Sequence, residues 1–450
     1  MNALKRSFPT LLLALALTVP ASRTAAQAFG FGTEPAPEDA AAAPGRASAA
    51  AAVTVHGKLV LGAVLFPDDL ADPATAEPEN ASAVKLDLVA SGSSAYAALR
   101  LSVAEPALDA ATAADFLDRA VEEAFLRLFL GSVTVEGGLR KLTWGKADSQ
   151  GPLDVVNPLD FTDLTVTDDL ERRIARPLVR VSWALAPMTQ VEAVFLPSFE
   201  PHDLASAGRW IPGEIADLEA ILGGEAVYLA ALPDTSTLDY AQGGLRFTTT
   251  TGSVDWGVQY FYGFLPMPAV KFGLPGPSFL GIVYNRYHQI GTDLAAVLGG
   301  FGLRAEAAAN LTEDPAGDDP YVYNPHLAFS LGADRDVWKG LNLNLQYAGT
   351  IRLADGGISS PFDVETDTGV YRSGLTAVAF QKLLRDKLEW RVAALWNLAD
   401  ADFLLSPSLS WTEGDAEVKL AAGVFGGDPD GQMGQYADAS WVRLTLTYTF

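Results

Sequence analysis

Eight arginines, Arg100, Arg127, Arg140, Arg180, Arg246, Arg304, Arg391 and Arg443, fall on the polar side of short alternating segments, interleaved with Glu136, Glu192, Asp255, Glu306, Glu389 and Glu417. Set along an extended chain, such groups break no bonds. They make a transverse field across a wet passage, which selects solutes by charge, or they pair across neighbouring strands and stiffen a wall. A second constellation lies between Arg140 and Arg180. There Asp148, Asp154 and Asp160 precede Arg172, Arg173 and Arg176, close enough for a folded loop to bring the two signs together. Signatures of catalysis are missing. His56, His202, His288 and His326 lack the His-x-x-x-His spacing of a zinc site. There is no Gly-x-Ser-x-Gly elbow and no glycine loop for a phosphate or dinucleotide. With 0 cysteines there is neither a disulfide framework nor a thiolate metal site. The expectation is no enzyme, no metal and no cofactor.

The elements that carry these residues repeat every two positions rather than every 3.6. Leu341, Leu343, Leu345, Tyr347 and Ile351 oppose Asn342, Asn344, Gln346, Thr350 and Arg352. Leu388, Trp390, Val392, Ala394, Trp396 and Leu398 oppose Glu389, Arg391 and Asn397, and Val442 to Phe450 alternates with Arg443, Thr445, Thr447 and Thr449. Each is a two-faced strand. Eighteen such segments run from 53–66 to 440–450, or sixteen if a weak pair near the start lies outside the wall. Tight turns alternate with mostly long loops, which is how a transmembrane antiparallel up-and-down β-barrel sorts its two ends, with short turns on the periplasmic side and long loops outside. In hydrocarbon an unpaired backbone N–H or C=O costs several kcal/mol, so extended chain crosses only as a closed sheet. Apolar faces then look outward and polar faces line the lumen. Trp183, Trp256, Tyr260, Tyr262, Trp390, Trp396 and Tyr448 are candidates for interfacial girdles.

Composition agrees. Mean hydropathy is +0.16 and charged residues are 19% of the 450, yet no segment beyond the N-terminus reaches the ~18 apolar residues of a spanning helix. The net charge of −24 makes nucleic acid an unsuitable partner. Lys5 and Arg6 before the apolar run Leu11–Val19, then Ala26-Gln27-Ala28, read as a signal peptide over 1–28. An Ala/Pro-rich periplasmic leader follows over 29–52, and the barrel occupies 53–450. The outer loops together carry net charge −30, suited to hydration, to cation binding or to repelling anions at the mouth. Residues Asp109–Glu123 have helical composition and are expected to form a short loop helix.

The third outer loop, 145–177, is too apolar at Val155, Val156, Leu159 and Phe161 to stand free, and is expected to fold into the lumen as a constriction. Its entry, Arg140 with Trp144-Gly145, then Asp148, and then Asn157-Pro158 with Asp160, resembles a group of outer-membrane porin-like β-barrels of Gram-negative bacteria. Its position is similar to that of the constriction loop of general porins. The ending, with Leu444, Leu446 and Tyr448 alternating up to Phe450, resembles the signal read by the barrel-assembly machinery. That last resemblance implies insertion by the machinery; the expected product is a monomeric or homotrimeric barrel in outer-membrane lipid. The expected function is passive diffusion of small hydrophilic solutes. A non-conducting surface structural or adhesion barrel with acidic ion-binding loops is the alternative, and an outer-membrane hydrolase a third reading.

Overall fold

The computed structural model describes residues 52–71, 77–148, 151–273, 278–354, 363–365 and 369–450. The signal-peptide expectation, and all of the expected leader but its last residue, lie outside these. Eighteen antiparallel strands form one wall: β1 Ala52–Leu65, β2 Ala83–Ser91, β3 Ala95–Ala104, β4 Val121–Leu130, β5 Val133–Arg140, β6 Arg176–Ala186, β7 Thr189–Leu196, β8 Gln242–Thr251, β9 Val254–Phe264, β10 Arg286–Leu298, β11 Phe301–Thr312, β12 His326–Trp338, β13 Leu341–Arg352, β14 Tyr371–Leu383, β15 Leu388–Asn397, β16 Asp402–Glu413, β17 Ala416–Gly427 and β18 Trp441–Thr449. Each pairs with its neighbours in sequence, and β1 closes on β18 from Lys58 opposite Thr449 to Leu65 opposite Val442. The sheet therefore has no open edge, as a chain in hydrocarbon requires. No helix among the described residues is long and apolar enough to cross a membrane.

The two faces are inverted relative to a water-soluble protein. Leu444, Leu446 and Tyr448 are 53%, 44% and 49% exposed on the outside, with Phe450 beyond the strand end at 58%. The opposite face holds Glu123, Glu136, Gln289, Asp293, Glu306 and Gln346, all buried. Apolar side chains leave water only if lipid covers that outer belt, so the closed sheet is a transmembrane barrel. The girdle candidates Trp183, Trp256, Tyr260, Tyr262, Trp390, Trp396 and Tyr448 all take outward register positions.

Several boundaries differ from the sequence expectation. Strand β5 stops at Arg140 rather than continuing to Trp144, so the third outer loop spans 141–175. The expected helix over 109–123 is confined to Ala113–Ala120, where Thr112 Oγ1 accepts from Asp115 N at 3.1 Å. Glu123 belongs to β4, because register opposite Arg100 captures its carboxylate for the wall.

Candidate functional site in the barrel lumen

All eight sequence-selected arginines occupy inward register positions, and six of them meet carboxylates. Glu136 accepts from Arg127 Nε at 2.7 Å and from Arg140 Nε at 3.2 Å. Glu123 accepts from Arg140 Nη1 at 2.6 Å and from Lys141 N at 2.8 Å, and also pairs with Arg100. Arg180 donates to Glu192 at 2.6 Å, Arg246 pairs with Asp293, and Arg304 donates to Asp334 at 2.8 Å. Arg391 lies 5.6 Å from the Phe380 ring, and Arg443 donates to Thr165 Oγ1 at 3.3 Å. Pairs of this kind are costly to break by halves, because the remaining charge is stranded in a desolvated wall.

The third outer loop lies against this wall. Residues 144–148 and 151–154 cross the inner faces of β7 to β13, hydrogen-bonded to the wall at several points. Trp144 Nε1 donates to Glu192 at 2.6 Å, and its ring stands edge-on to Phe261 with centroids 6.1 Å apart. Ala147 N donates to Glu306 at 2.7 Å, beside a second donation from Lys146 N, and Asp148 N donates to Gln346 Oε1 at 3.0 Å. Gln259 and Gln289 donate to the carbonyls of Leu153 and Pro152, each at 2.9 Å. Gly145 takes φ +96°, and a Cβ there would sit 2.4 Å from Glu306 Oε1, so only glycine fits this crossing. Asn157 ties the loop's two ends together: Oδ1 accepts from Leu142 N at 2.7 Å, and Nδ2 donates to the carbonyls of Arg140 (3.0 Å) and Ile174 (2.8 Å). Pro158, next in the chain, accepts through its carbonyl from Ile174 N at 2.9 Å.

The three loop aspartates meet different fates. Asp148 pairs with the wall residue Arg304, and Asp154 with Arg173. Burial lifts the Asp154 carboxyl to about 6, against the pull of Arg173. Asp160 instead caps a local turn, accepting from Thr162 N at 2.8 Å, while its carbonyl receives Arg172 Nε at 3.2 Å. Arg176 turns to Glu200.

Beyond Asp160 the loop reaches the other side of the lumen. Thr165 meets Arg443 of β18, and Glu171 accepts from Lys85 of β2 at 3.0 Å. Asp160–Phe161 pairs in parallel with Asp203–Leu204 of the fourth outer loop, 197–241. There His202 Nδ1 accepts from Leu159 N at 2.9 Å, and burial together with Arg172 pushes the imidazole down to about 4. The fourth loop leaves between β7 and β8 and anchors on the far rim. Trp210 is buried among Phe66, Phe425 and Tyr436 at 5.8 to 6.0 Å between ring centroids, Tyr436 Oη donates to its carbonyl at 3.3 Å, and Arg209 pairs with Asp69 at 2.7 Å. This loop is a strap across the mouth.

Sequence reasoning missed Glu123, Asp293, Gln259 and Gln289, and it placed Gln346 on the polar face without giving it a partner. Parity could have found Glu123, which stands four residues before Arg127 on the same face. The glutamines carry no charge signal, and only the loop's path gives them work. Among the described residues, no group of three or more His, Asp or Glu could hold a metal ion.

No known family model matches the sequence, and no curated protein matches it. Among solved structures the chain is similar to Pseudomonas aeruginosa OccK3 (OpdO), with TM-score 0.49 and 10% identity over 88% of this chain and 95% of that one. It is also similar to Acinetobacter baumannii OccAB4, with TM-score 0.48 and 10% identity over 88% and 97%. A third similarity is to Salmonella typhi OmpF in complex with daunomycin, with TM-score 0.42 and 10% identity over 90% and 100%.

Proposed function

We propose that the protein is an outer-membrane channel through which small hydrophilic solutes diffuse passively, narrowed by the loop 141–175. The observation that carries this reading is the loop's seat. One lobe lies on the inner faces of β7 to β13, and the other reaches Arg443 and Lys85 on the far wall. In this reading the loop is the element that narrows the passage. Its acidic lobe, Asp160 to Glu171, stands against Lys58, Lys85, Arg391 and Arg443, and oppositely charged sides of a wet constriction act on solutes through a transverse field. Planar-bilayer recording on refolded protein tests the reading: steady open steps with a measurable ion preference are expected.

One feature favours the non-conducting barrel as a second reading, namely the fourth-loop strap anchored at Trp210. Absence of conductance in the full chain, and in a variant whose strap is released, would support that reading and remove the first.

A further inference from the structure

The inner wall is covered on one half. Beneath the third loop, on β7 to β13, the inward side chains Glu192, Arg246, Gln259, Asp293, Glu306 and Gln346 are buried. On β14 to β18 and β1 the inward positions are only partly buried, among them Lys58, Phe380, Arg391, Ser410, Lys419 and Thr447. Two features set this half apart. Apolar groups interrupt its polar lining: Val378 and Phe380 of β14 stand in register with Ala393 and Arg391 of β15, and Leu395 on the same face is 37% exposed. It is also basic. Lys58, Lys382, Arg391 and Lys419 outnumber Glu389 and Glu417 on its periplasmic side, in a chain whose net charge is −24.

The chain enters the barrel beside this half. Ala52, the first residue of β1, stands opposite Ser91 at the short turn between β2 and β3, and β1 extends past the last residue of the chain, since Phe450 pairs with Gly57. The preceding segment, 29–51, lies outside the described residues. Its sequence sets Glu34, Glu38 and Asp39 against the single basic residue Arg46, and it begins with Phe29 and Phe31. Lys419 is in register with Thr445 and, through it, with Gly62. That position is ten residues along β1 from Ala52 and two strands across, about 35 Å by strand geometry. Asp39 precedes Ala52 by thirteen residues, which span up to about 45 Å. A chain that reverses on leaving β1 therefore has the length to bring its acids to the basic wall, and Phe31, eight residues earlier, has the length to reach Phe380.

We propose that the segment 29–51 turns back into the lumen from the periplasmic end and lies along the inner face of β14 to β18. Its carboxylates meet Lys58, Arg391 and Lys419, its phenylalanines cover Phe380 and Leu395, and it partly plugs the side of the passage that the third loop leaves open. The seat requires only a closed barrel with its short turns toward the periplasm. Its effect on conductance rests on the channel reading.

Engineered cysteine pairs test the seat, because the chain has no cysteine of its own. The protein is exported with its own leader and purified in detergent from outer membranes, and heat-modifiable gel migration checks that each variant is folded. Ala36→Cys is oxidised against Ser410→Cys, which is inward and in register with Lys419, or against its outward neighbour Leu409→Cys. An intrachain disulfide is expected to form at least tenfold faster at 410 than at 409. Glu34→Gln/Glu38→Gln/Asp39→Asn should slow it at least fivefold. Equal rates at the two wall positions, or a disulfide only between two copies of the chain, would overturn the seat. An undiminished rate in the neutral variant would overturn its charge pairing. Removal of residues 33–50 should raise the single-channel conductance, and an unchanged step would overturn the plug. Absence of conductance in both forms would instead remove the channel reading, with the disulfide still deciding the seat.

Discussion

Replacing Gly291 with valine tests the seat of the third loop through a single contact. Gly291 lies on the inner face of β10, where a Cβ would fall 2.2 Å from Leu153 Cδ2 and 3.3 Å from the Ala307 carbonyl oxygen. Carbon atoms settle at about 3.5 to 4.0 Å from one another. Leu153 is fully enclosed and has no room to swing aside. Overpacking of this kind costs about 1–3 kcal/mol, and the converse change, Leu153→Ala, costs about 2–5 kcal/mol. Taking ~2 and ~3 kcal/mol, the ratio of seated to lifted loop falls roughly 30-fold in the first variant and roughly 150-fold in the second. The double variant moves three carbons from loop to wall and conserves volume, so its cost should be under about 1.5 kcal/mol rather than the additive ~5. Single-channel recording reads the effect as larger or noisier steps in each single variant and near-native steps in the double. Thiol labelling of Ala147→Cys supplies a second readout, clean because the chain has no other cysteine. An additive double variant, or Gly291→Val with native conductance and labelling, refutes the argument that this loop is held by packing on the inner wall.

Further expectations concern charge, the strap and pH. Glu123→Ala removes the Nη1 partner of buried Arg140 and leaves it to Glu136, which Arg127 shares, and should cost about 1.5–3 kcal/mol for the lost charged hydrogen bond, read as a lower unfolding temperature in detergent; an unchanged temperature would show the network to be structurally idle. Trp210→Ala removes the strap's anchor at about 3–5 kcal/mol, and single-channel conductance should rise; an unaltered step would mean that the strap does not restrict entry. Arg443→Glu reverses a charge facing Thr165 and should move the reversal potential in a salt gradient toward cations, with no shift counting against a field at this level. His202 binds Leu159 N as the neutral imidazole, with its pKa lowered from 6.5 to about 4. A depressed histidine pKa means the contact contributes fully above pH 6.5 and is lost as pH falls toward 4. Gating noise should therefore grow over that window in the native protein and be flat in His202→Gln.

Much of the wall was legible because strand periodicity is local. Leu444, Leu446 and Tyr448 face one way and Arg443, Thr445 and Thr447 the other whatever lies beside them, since successive side chains of extended backbone point to opposite faces. The eighteen strands, their alternation of turns with loops, and the inward set of arginines follow from that rule plus the solvent outside. The end of β5 was not legible. Leu142 and Trp144 share the parity of Glu136 and Arg140, so they are apolar where the inner face of the strand is polar, and they belong to the loop, packing on the inner wall with Val156, Leu178 and Phe261.

Alternation and charge in the sequence thus determined the barrel, its inversion and which side chains line it. Tertiary structure decided who meets whom. Trp144 reaches Glu192 across 48 positions, Ala147 reaches Glu306 across 159, Asp148 reaches Gln346 across 198, and Tyr436 reaches Trp210 across 226. Such contacts leave no period in the chain. They arise because closing eighteen strands into a ring sets distant residues face to face across a lumen, and the path of a loop through that space is chosen by packing and hydrogen bonds rather than by the loop's own pattern.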